Sequence, residues 1–457
     1  MCVANQKAGC LWTDITELLD LFRFVRYPTG VSRVVMNLAD ALAVDHGNIF
    51  GQARTLFWDP VRGRAFAMED PRLAPLSDFL PRLIELYASA GLRRIPYTSR
   101  AMKAFVTSIP KPWRYMIFPS DNGVTLFVRW ARANGMQFSP VRFAAGDCLF
   151  VPGSFWLGKY APRLVAQARA AGVPVTAFVH DVVLLSHPGW LSPHHSEQFR
   201  RGCDSFLPGC AAIICNSSHT RAELRRLVPA TARLPVHTCR LGDRPFARPS
   251  QDIPAAVTEM LGQRYVMFVS TLIPRKNHRL LIEAWRRLRN EFGPSTPYLL
   301  LVGGGAPDPV LSEMLEREQA EGGRIVRITD ADDAALDLLY KHAWMTAYPS
   351  LAEGYGIPVA EALSRGRICL AAPSGGVKEI DGNLIDFIDP LEPESVVAAV
   401  RNYLRDEGLR LSREAEIRRN YRSTDWSDTA RTVRSILEGT ITVSAGEPPS
   451  SPPPGRA

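Results

Sequence analysis

Two glutamates stand eight residues apart in a glycine-rich stretch of the chain. Glu353 precedes a Gly-Tyr-Gly turn at 354–356, and Glu361 falls in the first turns of a helix that Pro358 should begin. Glycine lets a backbone approach a ligand closely, and a helix start offers free N–H groups to a polar or anionic ligand. Two carboxylates beside such a start can each accept a pair of hydroxyls, as sugars present them. On the alternative interpretation Glu361 only complements the helix dipole and Glu353 is solvated, but the glycines and the spacing favour a ligand site.

This stretch resembles the Glu-x7-Glu signature of the retaining nucleotide-sugar glycosyltransferases of the GT-B class, the bacterial group 1 glycosyltransferases. In that family the first glutamate and the amides after it hold hydroxyls of the donor sugar, and the second glutamate holds the ribose of the nucleotide. The resemblance implies that Glu361 holds the ribose. It also implies that the donor sugar is held by the residues of the turn, Glu353, Gly354, Tyr355 and Gly356.

A basic pair, Arg275 and Lys276, follows an apolar strand and precedes Asn277, the predicted N-cap of the next helix. Two cations beside a helix N-terminus can bind a diphosphate, with charge-assisted hydrogen bonds of about 1.5–3 kcal/mol each. An isolated Arg-Lys pair is usually a solvated turn, but this one matches the family's Arg-Lys-Asn motif. The resemblance therefore implies that both cations stabilise the leaving nucleoside diphosphate, so that no metal or other cofactor is expected.

The first half of the chain holds two further candidates. Gly30 lies just before a predicted helix, and the stretch 29–33, which ends at Arg33, resembles the family's glycine-containing loop, whose N–H groups can face a phosphate. His180 ends an apolar strand, and the resemblance places it near the donor sugar and the acceptor hydroxyl, although a lone histidine is more often structural. Asp181 either orients His180 or caps the next turn.

Three other turns receive weaker assignments. Ser218 is expected to cap the helix that follows it. The glycines at 303–305 should allow close packing near the nucleotide, and the stretch 374–379 resembles a later glycine-rich loop of the family that lines the cleft.

The elements that carry these residues alternate between β-rich runs and helical patterns, which predicts an α/β fold with parallel sheets. Strands are expected near 10–16, 147–153, 174–180, 211–217, 265–271, 298–303, 324–328, 344–349 and 366–372, and helices near 31–44, 158–171, 218–227, 277–291, 309–321, 333–342 and 358–365. Ligands bind at the carboxyl ends of strands in open parallel sheets, which is where the candidate residues fall.

The length of 457 residues requires more than one core. The resemblance implies the GT-B architecture, two Rossmann-like domains that face a cleft, with the nucleotide mainly on the second. The predicted division is an acceptor-side domain 1–245 with a basic insert at about 60–140, a donor-binding domain 246–411, a helix 412–438 that packs back on the first domain, and a disordered tail 439–457.

Composition narrows the class of protein. A chain that is 46% hydrophobic and 22% charged is neither mostly disordered nor a coiled coil. The absence of a 20-residue apolar run and of a signal peptide predicts a cytoplasmic protein. Eight cysteines without a C-x-x-C pair predict buried free thiols and no metal site.

The net charge of +8 calls for an anionic partner. Residues 86–120 hold six basic residues interleaved with aromatics and no acidic one, which suits the anionic cytoplasmic face of a membrane. A solvated variable insert explains the run equally well. Nucleic acid is not expected, because none of its recognition motifs accompanies the charge.

The resemblance thus implies a retaining hexosyltransferase with a nucleotide-sugar donor, and the family makes GDP-mannose the first choice. The acceptor would be a saccharide, free or linked to polyprenyl diphosphate, in surface polysaccharide biosynthesis. Two alternatives stay open: an epimerase of nucleotide sugars with the same fold, which should lack the Glu-x7-Glu spacing, and a non-catalytic saccharide-binding protein.

Overall fold

The computed structural model describes residues 9–21, 30–44, 49–89, 122–157, 160–190, 193–244 and 253–444. This part of the chain forms two open sheets with helices on both faces. The predicted α/β class is confirmed. Most strands are short continuous apolar runs, as expected for parallel strands that are covered on both faces.

The first sheet has the strand order β3-β2-β1-β4-β5-β6-β7, and only β3 is antiparallel to its neighbour. Its strands are β1 Gly9–Asp14, β2 Phe50–Asp59, β3 Arg64–Met68, β4 Cys148–Val151, β5 Val175–Val179, β6 Ala212–Cys215 and β7 Val236–Thr238. The helices of this half are α1 Thr16–Leu21, α2 Val31–Val44, α3 Leu76–Ser89, α4 Gly123–Ala133, α5 Ala161–Ala170, α6 Val183–Ser186, α7 Pro193–Phe206 and α8 Ser218–Leu227.

The second sheet is parallel throughout, with the order β10-β9-β8-β11-β12-β13. Its strands are β8 Tyr265–Val269, β9 Tyr298–Val302, β10 Ile325–Ile328, β11 Met345–Tyr348, β12 Cys369–Ala371 and β13 Asp386–Phe387. The remaining helices are α9 Ala255–Met260, α10 His278–Phe292, α11 Pro309–Ala320, α12 Asp333–His342, α13 Ile357–Ser364, α14 Lys378–Asp381, α15 Pro393–Arg405, α16 Glu407–Asn420 and α17 Trp426–Ser444.

The segment 60–140 is more regular than its weak sequence signals predicted. It contains β3, α3 and α4, which together bury an aromatic cluster around Phe57, Phe79 and Phe127. The helical pattern of α3 was obscured by Pro81 inside it. Residues 90–121, which carry most of the basic run 86–120, lie outside the described part of the chain.

The chain passes between the two sheets twice, and the two passages are tied together. Asp243 is 1% exposed, and its carboxylate accepts hydrogen bonds from the Tyr421 hydroxyl (2.8 Å), the Thr424 amide (3.0 Å) and the Ser423 hydroxyl. After this point α17 packs against α2 and β4 of the first sheet. The predicted disordered tail was therefore wrong for residues 439–444, which end α17, while 445–457 lie outside the described residues.

Two smaller predictions concern the whole chain. Seven cysteines in the described residues are free, and all except the half-buried Cys10 are buried, as predicted. Burial raises the pKa of each of these thiols, which keeps them protonated and unreactive. Among the described residues there is no helix long and apolar enough to span a bilayer.

Candidate active site

The glycine-rich turn connects β11 to α13 at the carboxyl edge of the second sheet. Gly356 is the residue before α13 and has φ 106°, a conformation that glycine adopts without strain. Gly354 lies against the other half of the molecule, since a Cβ on it would come within 2.0 Å of the His180 carbonyl oxygen. Pro358 falls in the first turn of α13, as predicted. The turn thus brings the carboxyl edges of both sheets into contact.

Glu353 sits in this turn and is 7% exposed. One of its oxygens, Oε1, lies 2.9 Å from Arg275 Nη1 and 2.5 Å from Lys276 Nζ, and it also accepts from the Ser350 hydroxyl. Burial by itself would raise the pKa of Glu353, but the charges of Lys276 and Arg275 outweigh it and lower that pKa to about 2. Glu353 is therefore a buried carboxylate that two cations keep ionised.

The basic pair lies in a 3₁₀ turn, Pro274–Lys276, just after β8. The sequence predicts that both cations bind a diphosphate, and the structure adds that they pair with Glu353. Burial lowers the pKa of Lys276 although Glu353 raises it, because the ammonium is largely removed from water. Its Nζ also donates to the Tyr348 hydroxyl, 2.8 Å away.

Asn277 does not cap α10 with its side chain, contrary to the prediction. Its backbone is left-handed, with φ 62°, and the side-chain amide donates to the carbonyls of Pro349 (3.3 Å) and Pro390 (2.7 Å). Asparagine tolerates this backbone conformation better than most residues do. The residue thus ties the basic turn to two loops of the same half rather than to the helix.

Glu361 lies in α13 and is 2% exposed. Its Oε2 accepts from the Tyr340 hydroxyl at 3.0 Å, and its Oε1 lies 2.9 Å from Arg33 Nη2. Arg33 belongs to α2 of the first half and also reaches Asp333, with 3.1 Å between Nε and Oδ1. Burial raises the pKa of Asp333, and Arg33 opposes that shift. A single arginine therefore joins the first half to one buried carboxylate, Glu361, and one partly buried carboxylate, Asp333, of the second half.

His180 follows β5, and its ring stacks on Phe178 with 4.7 Å between centroids. Its Nε2 lies 2.7 Å from the Pro152 carbonyl oxygen, which can only accept, so Nε2 carries the proton. Burial lowers the pKa of His180 and favours the neutral ring. Asp181 accepts from the Val183 amide at 3.2 Å and so caps the next turn, one of the two predicted alternatives.

Gly30 is exposed, has φ 49° and accepts the first hydrogen bond of α2 from Val34, 3.3 Å away. It is connected to the site through α2, whose Arg33 reaches Glu361, while Thr29 lies outside the described residues. Glu353 contacts both Arg275 and Lys276, and Gly354 contacts the backbone of His180.

Three predicted turns take part in the same region. The cap of α8 is Ser217 and not Ser218, because the Ser217 hydroxyl accepts from the Thr220 amide at 3.0 Å. A Cβ on Gly375 would lie 1.9 Å from the Glu353 carbonyl, so the loop at 374–379 does line the site. A Cβ on Gly303 would lie 2.2 Å from the Ser270 carbonyl, which explains a glycine there. Within the described residues no cluster of three or more acidic, His or Cys side chains could hold a metal.

Comparison with known structures defines the class of this fold. The sucrose-phosphate synthase of Thermosynechococcus elongatus superposes with a TM-score of 0.60 at 16% identity, over 95% of this chain and 100% of that one. Anabaena Alr3699/HepE in complex with UDP superposes with a TM-score of 0.53 at 14% identity, over 94% of this chain and 100% of that one. The fold is GT-B.

Sequence comparison adds a similarity to a family. Residues 250–423 match the model of the family described as Glycosyl transferases group 1, so this part of the chain is similar to that family. The O-antigen chain mannosyltransferase B of Escherichia coli is 27% identical over 254 residues, 55% of this chain and 65% of that protein. The matched region thus spans slightly less than two thirds of the relative's length.

Proposed function

We propose that the protein is a retaining, metal-independent hexosyltransferase that moves mannose from GDP-mannose to a hydroxyl of a saccharide, free or lipid-linked, during the synthesis of a surface polysaccharide. The observation that carries the proposal is the buried group of Glu353, Arg275 and Lys276 under the Gly354–Gly356 turn. The similarity to a mannosyltransferase supports the choice of sugar.

The roles proposed for these groups follow from their charge and position. Arg275 and Lys276 would stabilise the negative charge that grows on the diphosphate as it leaves. Glu353, held in place by both cations, would accept hydrogen bonds from sugar hydroxyls, and Glu361 would accept those of the ribose. In the described residues, the amides of Gly354, Tyr355 and Gly356 donate to no protein acceptor and are free to hold the sugar.

The proposed step proceeds on one face of the sugar. The bond from the anomeric carbon to the diphosphate oxygen breaks while the acceptor oxygen bonds to the same carbon. The acceptor proton passes to the departing phosphate. No carboxylate serves as a nucleophile in this scheme, so isolation of a covalent glycosyl-enzyme from the wild type would contradict it.

A thermal-shift screen against GDP, UDP, ADP and their sugars tests the donor. A nucleotide at 100 times its Kd should stabilise the fold by about 2.7 kcal/mol. We expect GDP and GDP-mannose to raise Tm, and release of GDP with a mannosyl acceptor to be unaffected by EDTA. If no nucleotide raises Tm, the chain is not a nucleotide-sugar transferase.

The acceptor and the location of the enzyme are part of the proposal. A polyprenyl-diphosphate-linked saccharide would hold the substrate at the cytoplasmic face of the membrane, where the basic run 86–120 could contact anionic lipid. Sedimentation with vesicles that contain phosphatidylglycerol, compared with neutral vesicles, tests this contact. Equal binding to both would contradict an electrostatic membrane contact.

A further inference from the structure

The N-terminus of α8, in the first half, is hydrogen-bonded to the glycine-rich turn of the second half. The Ser217 hydroxyl, in a residue that is 3% exposed, donates to the Gly354 carbonyl at 2.6 Å. The Thr220 hydroxyl, fully buried, donates to the same carbonyl at 3.2 Å. Both lone-pair sites of one buried carbonyl are thus taken by hydroxyls from across the cleft.

These bonds fix more than the carbonyl. The peptide unit between Gly354 and Tyr355 is trans, so its N–H points away from its C=O. Because the carbonyl is held toward α8, the Tyr355 N–H is directed away from α8. In the described part of the chain this amide donates to no protein acceptor, so its direction is available to a ligand.

A second contact holds the same two elements together. The carboxylate of Glu379 accepts from the amides of Ser218 and His219, with 2.7 Å for each bond. A carboxylate at a helix N-terminus also complements the helix dipole. Between Glu379 and the glycine-rich turn lies Gly376, which has no side chain to displace the turn: a Cβ on it would lie 2.1 Å from the Gly354 carbonyl oxygen. The end of α8 therefore contacts the turn through two separate parts of the second half.

We infer that Ser217 and Thr220 are positioning residues for sugar transfer: they hold the Gly354 carbonyl across the closed cleft and so direct the Tyr355 N–H toward the donor sugar. The inference rests on the proposed function. The first half would thereby set the geometry of the donor site of the second half.

The test separates the hydroxyls from packing and from helix capping. Thr220→Val keeps the shape of the side chain and removes the hydroxyl, whereas Thr220→Ser keeps the hydroxyl. Ser217→Ala also loses the cap of α8. The matched control for this loss is Asp406→Ala. The Asp406 carboxylate caps α16 by accepting a hydrogen bond from the Leu409 amide at 2.8 Å, and the variant loses that cap.

We expect Thr220→Val and Ser217→Ala to lower kcat by about tenfold or more, because a misdirected donor no longer stabilises the transition state. The KM for the donor and the thermal shift with GDP should change by less than about threefold, since other groups hold the nucleotide. Thr220→Ser should recover most of kcat. Asp406→Ala should lower Tm and keep its kcat.

The outcomes are distinguishable. Absence of turnover in the wild type overturns the proposed function and the inference with it. A wild-type kcat in Thr220→Val, with an active wild type, overturns the inference alone. Equal losses in Thr220→Val and Thr220→Ser would assign the effect to packing and would also overturn it.

Discussion

Replacing Glu353 with glutamine removes one negative charge from a buried site that holds two cations. In the wild type, Arg275 and Lys276 lie 2.9 and 2.5 Å from Glu353 Oε1. The variant keeps the shape of the side chain but removes the nearest counter-charge of both cations. Removing one partner of a buried ion pair costs about 3–5 kcal/mol.

The pKa of Glu353 gives an independent magnitude. It is lowered from the ordinary value of 4.5 to about 2 in the folded state. At 1.36 kcal/mol per unit, the ionised carboxylate contributes about 3 kcal/mol at pH 7. Because the folded pKa is the lower one, this stabilisation is complete above about pH 5 and is lost as the pH falls toward 2. At pH 4 it should already be about 1 kcal/mol smaller.

Urea unfolding of both proteins at pH 7 and pH 4 measures this difference. We expect Glu353→Gln to be less stable by about 3 kcal/mol at pH 7 and by about 2 kcal/mol at pH 4. The matched control is Glu321→Gln, because Glu321 pairs with Arg289 at 2.5 Å but is 48% exposed. It should cost less than about 1 kcal/mol at either pH. A Glu353→Gln variant that behaves like this control, or whose loss does not depend on pH, would refute the reasoning.

Two further predictions concern contacts between the halves. Gly354→Ala should reduce turnover about 100-fold, the scale of loss that a 1 Å misplacement can cause, because its Cβ would lie 2.0 Å from the His180 carbonyl oxygen. Gly262→Ala, with open space around it, is the control and should keep its turnover. Equal activities of the two variants would contradict the close approach. Arg33→Ala should destabilise the fold by about 3 kcal/mol, since Glu361 and Asp333 lose their shared cation. In urea titrations this loss should be smaller at pH 5 than at pH 8, because burial raises the pKa of Asp333 and its protonation relieves the charge that Arg33 no longer pairs. A loss that does not change with pH would contradict this.

The sequence predicted best those features that depend on local pattern. The helix expected at 31–44 is observed as Val31–Val44, because its apolar residues recur at the helical period. The strands at the centres of both sheets are short apolar runs and were also placed correctly. The position of Glu353 before α13 followed from Gly356 and Pro358, because glycine often precedes a helix and proline suits its first turn.

What the sequence could not supply was the partner of each charge. Arg33 was noticed for its place after Gly30, but nothing local shows that it reaches Glu361 in the other half. The same holds for Glu353 and the basic pair. The cap of α8 was assigned to the wrong one of two adjacent serines, because the choice is made by Thr220 and by Gly354.

The misread segment 60–140 did carry one usable signal. Asn122 caps α4, and the apolar residues that follow it recur at the helical period. The edge strand β3 and its neighbour β2 were harder to find. Residues 51–55 of β2 are exposed or only partly buried, so the apolar pattern that marks a central strand is weak there.

The tie at Asp243 has a mechanical consequence. Because the two covalent crossings between the halves are hydrogen-bonded to each other through Asp243, a rotation of one half against the other would bend both crossings at the same place. A fluorophore on α17 would travel with the first half, although α17 follows the second half in sequence. Energy transfer between this fluorophore and a second one on α15 would therefore report the distance between the two halves.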